Sequence, residues 1–141
     1  MARAASSSRP SPEVELIAHN PTDGVYSTGG DWVHAMEVRG AERMLFVSGT
    51  MGLRSDFTAP PTLEEQLQCV WDNLRAILAS AGMGVDNIVR LTSYLRDPSY
   101  AEANARARIA ALKERRIPTT AIVVETLSPD WLVELEIIAT A

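Results

Sequence analysis

The chain has 141 residues, of which 46% are hydrophobic and 22% charged, the size and make-up of one globular domain able to bury a proper core. Its net charge of −5, with no basic run interleaved with aromatics, argues against nucleic acid as a partner, because neutralisation of phosphates by Lys and Arg supplies most of that affinity. No stretch is long and apolar enough to cross a membrane as a helix, and a single cysteine, Cys69, allows no intramolecular disulfide, so a reducing, cytoplasmic setting is expected.

Residues 1–12 lack the apolar core of a signal peptide and read as a short disordered leader to a single domain over 13–141. Val14 to Ala18 is the first strand, closed by Asn20-Pro21. The following loop is rich in turn formers, Asp23-Gly24, Gly29-Gly30 and Asp31. Trp32 to Val38 alternates loosely and meets Arg43 to Ser48 through Gly40-Ala41-Glu42, a hairpin signature. Met44-Leu45-Phe46-Val47 is a continuous apolar run, as in a strand covered on both faces, and Ser48-Gly49-Thr50 ends it with a glycine that suggests close backbone approach.

Thr62 and Glu65 have capping-box spacing, and Leu63, Leu67, Val70, Leu74, Ile77 and Ala81 then form one apolar stripe ending at Gly82. Ile88 to Leu95 is a strand. Asp97-Pro98 opens a second, alanine-rich helix over Ser99 to Arg115, with a cationic end that suits the helix dipole. Ile117 to Glu125, opened by Pro118, and Leu132 to Ala139 complete the order βββαβαββ. In the last strand Val133, Leu135 and Ile137 share one face while Glu134 and Glu136 share the other. The pattern predicts an α+β domain with two helices on one face of a mixed sheet. Phe46, Ile122, Val123, Leu135 and Ile137 offer more apolar strand surface than two helices need, which predicts a homo-oligomer.

Several side chains could carry chemistry. His19 and His34 have no metal-ligand spacing, so no metal is expected. Ser48 with His34 lacks the strand-turn-helix elbow of a serine hydrolase, and the Gly24 to Gly30 loop has neither the lysine nor the helix of a phosphate cradle. Cys69 lies within the first helix and reads as buried filler. Glu134 or Glu136 is the better candidate: a partly buried carboxylate on a strand beside a cleft is a competent general base, although two glutamates on one strand face also describe a solvated surface.

Taken together, Leu45 to Gly49, the helix carrying Gln66, Asn73-Leu74 and Ala81-Gly82, Val89 to Asp97, Tyr100 to Asn104, Ile117 to Thr120 and Val133 to Ala139 resemble the Rid family (reactive intermediate deaminases, also called YjgF) in order and spacing, over roughly Val33 to Ala139. The resemblance implies a chorismate-mutase-like fold, a six-stranded mixed sheet with two helices, assembled as a homotrimer with a ligand cleft at each subunit boundary. It also implies hydrolysis of small reactive enamines or imines without a cofactor. Glu134 matches the carboxylate that positions water, Ser48 and Gly49 match the strand end lining the cleft, and Asn104 matches an asparagine of the second helix. The cleft aromatic corresponds to Trp32 by counting back from Ser48, or to Tyr26 by local motif, and Trp32 would bring His34 with it. Relatives hold the substrate carboxylate with an arginine two positions after the proline, a bidentate pairing that this chain replaces with Thr120. That departure implies a larger, less acidic enamine, imine or related carbonyl ligand, in a specialised biosynthetic pathway, or a non-catalytic metabolite-binding trimer.

Overall fold

A computed structural model describes residues 13–141; the leader expected at 1–12 lies outside the described residues. Six strands and two helices follow in the expected order: β1 (Glu15–His19), β2 (Ala35–Arg39), β3 (Met44–Met51), α1 (Leu63–Ser80), β4 (Ile88–Leu95), α2 (Ala101–Leu112), β5 (Thr119–Val123) and β6 (Val133–Thr140). Thr62 caps α1 by accepting from the Glu65 amide, as its spacing predicts. The second helix is shorter at both ends than its alanines suggest. Pro98–Tyr100 is a 3₁₀ turn capped by Asp97, and Lys113, at φ 58, stops the helix before its cationic tail.

β3, β6, β4 and β5 form one mixed sheet in that order, with β4–β5 parallel and the other pairs antiparallel. β1 and β2 make a separate antiparallel ladder, so the mixed sheet is continuous over four strands rather than six. The expected β2–β3 hairpin does not form. Gly40 turns the chain at φ 75, in a spot where a Cβ would lie 2.9 Å from the Glu13 carbonyl oxygen, and Glu42 and Arg43 donate instead to the Ala141 carbonyl. β3 is thereby committed to β6 from its first residue.

Both helices cover one face of the sheet. Leu91, Leu95, Val133, Leu135, Ile137 and Ala139 meet Leu67, Val70, Trp71, Leu74, Leu78 and Leu112, and all of these are buried. Each fully buried aliphatic side chain of this kind contributes about 1.5–3 kcal/mol of transfer free energy. Leu135 and Ile137 are therefore core residues of the single chain and offer nothing to a partner. Phe46 and Ile122, on the opposite face, and Val123, near the β5 edge, are exposed, as the oligomer argument requires.

Long polar side chains fasten the loops to this frame. Gln66 donates to the carbonyls of Pro60 and Asp130 and accepts from the Leu132 amide. Cys69 and Asn73 both donate to the Leu53 carbonyl, so the thiol serves to fix a loop. Arg115, at the cationic end predicted for the second helix, donates to the carbonyls of Val85 and Ile88. Arg96 grips Thr126 and Ser128, and so shapes the β5–β6 loop.

Candidate functional site

Side chains alternate along each strand, so the face away from the helices is populated by every second residue: Phe46 and Ser48 of β3, Glu134, Glu136 and Ile138 of β6, Arg90, Thr92 and Tyr94 of β4, and Thr120 and Ile122 of β5. Polar and charged groups dominate its centre.

Glu134 sits where β3 departs from regular pairing with β6. The register shifts between Val47 and Thr50, and Gly49 lies in that irregularity. A Cβ on Gly49 would fall 2.2 Å from Glu134 Oε2, so the carboxylate rests on the bare Cα of the glycine. Bulges commonly re-aim a side chain at a site, and here the missing Cβ makes room for the acid. Burial pushes the Glu134 carboxyl above its ordinary value of 4.5, and the nearby charge of Glu136 adds to the shift. Glu136 is exposed and accepts from the Tyr94 hydroxyl at 3.1 Å, a bond that pushes the phenol up.

Thr120 lies at the other side of the face. The Thr120 position, expected to lack a guanidinium, has one beside it: Arg90 Nη2 of β4 donates to Thr120 Oγ1 at 2.8 Å. Arg90, Thr92, Glu136, Phe46 and Ile138 line a pocket of about 240 Å³ over this part of the sheet. A larger groove of about 290 Å³ runs between α1 and α2, but its two arginines, Arg75 and Arg106, are already paired with Asp72 and Glu102.

The loop between β1 and β2 brings Tyr26, Trp32 and His34 together. The rings of Tyr26 and Trp32 stand edge-on to His34, with centroids 5.1 Å and 5.3 Å away. His34 Nε2 lies 2.7 Å from the Tyr26 carbonyl oxygen, so this nitrogen carries the proton and donates, which leaves Nδ1 as the free ring position. Buried Arg108 donates to the Asp31 carbonyl at 2.8 Å, and the Val33 amide donates to Ile117 at 3.3 Å. The aromatic loop is thus tied beside the entry to β5. Sequence reasoning put Arg108 among the charges of a solvated helix end. Its role shows only in a contact 77 residues away in the chain.

The predicted site residues fall into two groups. Ser48, Gly49 and Glu134 belong to β3 and its neighbour β6; Thr120, Tyr26, Trp32 and His34 belong to β5 and the loop beside it. Glu134 pairs with Tyr94 and Thr120 with Thr92, so the two stand two strands and two residues apart, about 12 Å from backbone to backbone. Asn104 is buried on α2. His19 pairs with Glu37 at 2.8 Å on the hairpin, and among the described residues no three His, Cys, Asp or Glu side chains gather as metal ligands. Among the described residues no helix is long and apolar enough to cross a membrane.

Comparison with known proteins places this arrangement. Residues 25–141 match the family model described as endoribonuclease L-PSP. The RutC family protein YjgH of Escherichia coli is 38% identical over 85 residues, 60% of this chain and 63% of the relative. The RutC family protein UK114 of Drosophila melanogaster is 33% identical over 101 residues, 70% of this chain and 73% of the relative. Among solved structures, a Rid family protein of unknown function from Yersinia pestis superposes with a TM-score of 0.77 at 24% identity, covering 89% of this chain and 98% of the other. YjgH superposes with a TM-score of 0.64 at 31% identity, over 90% and 97%. With the family model spanning most of its length and these relatives sharing its fold, the chain belongs to the L-PSP (YjgF, or Rid) family.

Proposed function

We propose that this chain hydrolyses a small, reactive enamine or imine in a cleft formed between copies of itself, with Glu134 as the proton-handling group. The observation that carries the reading is the seat of Glu134: a half-buried carboxylate on Gly49, its pKa raised towards the range in which one group both takes and returns a proton. Glu134 accepts a proton from water as the oxygen adds to the C=N carbon. Returned to the nitrogen, that proton gives the neutral tetrahedral adduct. Glu134 then takes the proton of the adduct's hydroxyl and hands it to the nitrogen as the C–N bond breaks, so that both protons of the water end on nitrogen and a carbonyl and ammonia or an amine are left. An enamine first takes a proton on carbon to reach the imine. General acid–base catalysis of this sort gives on the order of 10²–10⁴-fold, so the substrate is intrinsically labile.

The intersubunit cleft follows from the separation of the two groups of residues. β3 and β5 are the two ends of the four-stranded sheet, and a head-to-tail arrangement sets the β5 end of one copy against the β3 end of the next. The exposed Phe46 and Ile122 would be covered by such docking. In a closed ring, a homotrimer in our reading, Thr120 and the aromatic loop of one copy face Ser48, Gly49 and Glu134 of its neighbour.

Light scattering on the purified protein should give three times the chain mass. Ammonia release should be measured on imines generated in situ by an amino-acid oxidase. Glu134→Gln should lose most of the acceleration over buffer while keeping its mass in solution. A Glu134→Gln protein as fast as the parent would end the mechanism, and binding of the product ketoacids with no turnover would leave a non-catalytic metabolite-binding assembly.

A further inference from the structure

The groove between α1 and α2 lies on the far side of the sheet from Glu134, because every residue that lines it belongs to one of the two helices. Ala103, Ala107, Ala110 and Ala111 form one wall, and Leu67 and Trp71 the other. Alanines that face a second helix ordinarily let the two close up, yet here about 290 Å³ stays open between them. The polar side chains at the margins are matched locally: Gln68 and Arg75 donate to Asp72 at 3.1 Å and 3.2 Å, and Arg106 pairs with Glu102 at 3.3 Å. Trp71 is the exception. It is 3% exposed, and among the described residues its Nε1–H has no hydrogen-bond partner. Buried polar groups in folded proteins are paired almost without exception, and a phenylalanine in this place would have nothing to leave unpaired.

We infer that this groove is a binding site for a compact, neutral carbonyl compound, its oxygen accepting from Trp71 Nε1–H and its apolar body lying against Leu67 and the alanines. Indole is a donor only, so the ligand must bring the acceptor. A charged ligand is not selected. Both arginines are spent on carboxylates of their own helix, Glu64 at the rim repels an anion, and a cation gains nothing from a donor at the floor. The volume falls at the small end of the range for ligand pockets, which suits one ring with a short side chain. Nε1 is itself covered, so the oxygen must slip in along the indole edge; a wall of methyl groups has no rotamers to rearrange and obstructs that entry least. The site stands apart from the catalytic reading, since it uses none of Glu134, Gly49 and Thr120, and an assembly built from the sheet ends does not call on the helix layer.

Acetophenone is the probe, and cumene, of nearly the same shape but without an oxygen, is its control. The chain has three tryptophans, so a proton–nitrogen correlation spectrum shows three indole N–H signals, and the one missing in Trp71→Phe belongs to Trp71. Trp32→Phe and Trp131→Phe, both outside the buried core, identify the other two, so the assignment survives even if Trp71→Phe does not fold. Acetophenone added to the full chain should bind at about millimolar Kd or tighter and move the Trp71 signal downfield, as a new hydrogen bond to a carbonyl does. Cumene should cause no downfield move. Trp71→Phe should weaken acetophenone by about three- to tenfold and cumene hardly at all, because only the ketone loses a hydrogen bond. Ala107→Leu, which fills the groove, should abolish binding of both, whereas Glu134→Gln should bind acetophenone as the parent does. A Trp71 signal that acetophenone leaves in place, or affinity that survives in Ala107→Leu of parental melting temperature, overturns the inference. So does affinity lost in Glu134→Gln, which would put the ketone in the cleft on the other face of the sheet.

Discussion

Gly49→Ala puts the catalytic proposal under a specific strain. The new methyl would sit 2.2 Å from Glu134 Oε2, 2.9 Å from Cδ and 3.3 Å from Cγ, and every one of these atoms is on a side chain. No backbone has to move. Normal contact requires the carboxylate to retreat by about 1 Å, which rotation about the glutamate side chain allows. Gly49 is not at a positive φ, so alanine fits its backbone and removes some freedom from the unfolded chain, an effect of roughly 0.4–1 kcal/mol in favour of folding. Stability should therefore stay within about 1 kcal/mol of the parent. Catalysis should not: a misplacement of about 1 Å in a reacting group costs on the order of 10²-fold. The assay is initial-rate ammonia release beside a thermal melt of the same sample. A rate within threefold of the parent would mean that the seat of Glu134 is irrelevant to turnover. An unfolded or strongly destabilised protein would mean that the carboxylate is locked in place, and the reasoning about its mobility would be wrong.

Other perturbations separate scaffold from site. Gly52→Ala drives its methyl to 2.2 Å from the Gln66 carbonyl oxygen, where only backbone can yield, so denaturant melts should show a loss of about 2–3 kcal/mol. Arg108→Met should cost about 1–2 kcal/mol and speed hydrogen exchange of the Val33 amide, because the loop from Asp31 to His34 loses its tether to α2. The raised pKa of Glu134 has a sign for both activity and stability. As a base, Glu134 should place the acid limb of the kcat/KM profile above pH 4.5, and Glu136→Gln should move that limb down by removing a neighbouring charge. As a linkage effect, a carboxyl that holds its proton more tightly when folded lowers stability as pH rises from the unfolded pKa through the folded one, so Glu134→Gln should melt no lower than the parent at pH 7.

Much of this molecule was legible in its sequence because the information was local. The stripe from Leu63 to Ala81 with Thr62 before it defines α1, and the alternation of Val133, Leu135 and Ile137 with Glu134 and Glu136 sets the two faces of β6 correctly. What escaped was information held in pairs distant along the chain. The hairpin reading joined β2 to β3 across a short turn, whereas β2 pairs with β1 across a longer loop, and nothing near Gly40 announces that β3 is already taken by β6. Arg90 was hidden differently. It alternates with Val89, Leu91 and Ser93 as any polar strand residue would, and its closeness to Thr120 depends on the parallel pairing of β4 with β5. Two of the site's cations, Arg90 and Arg108, thus acquire meaning only after the fold has formed.

Among the described residues the sheet's two margins, β3 and β5, are unpaired, and they are unlike in length, composition and the direction in which their neighbours run. Such a molecule cannot satisfy both margins by embracing a single twin, since each union of one margin with the other leaves a further pair open. Only a closed circle leaves none exposed, and a union set at a slightly wrong angle would keep adding copies into a fibre. Solubility in such a protein would hang on the angle at which copies meet as much as on how firmly they hold.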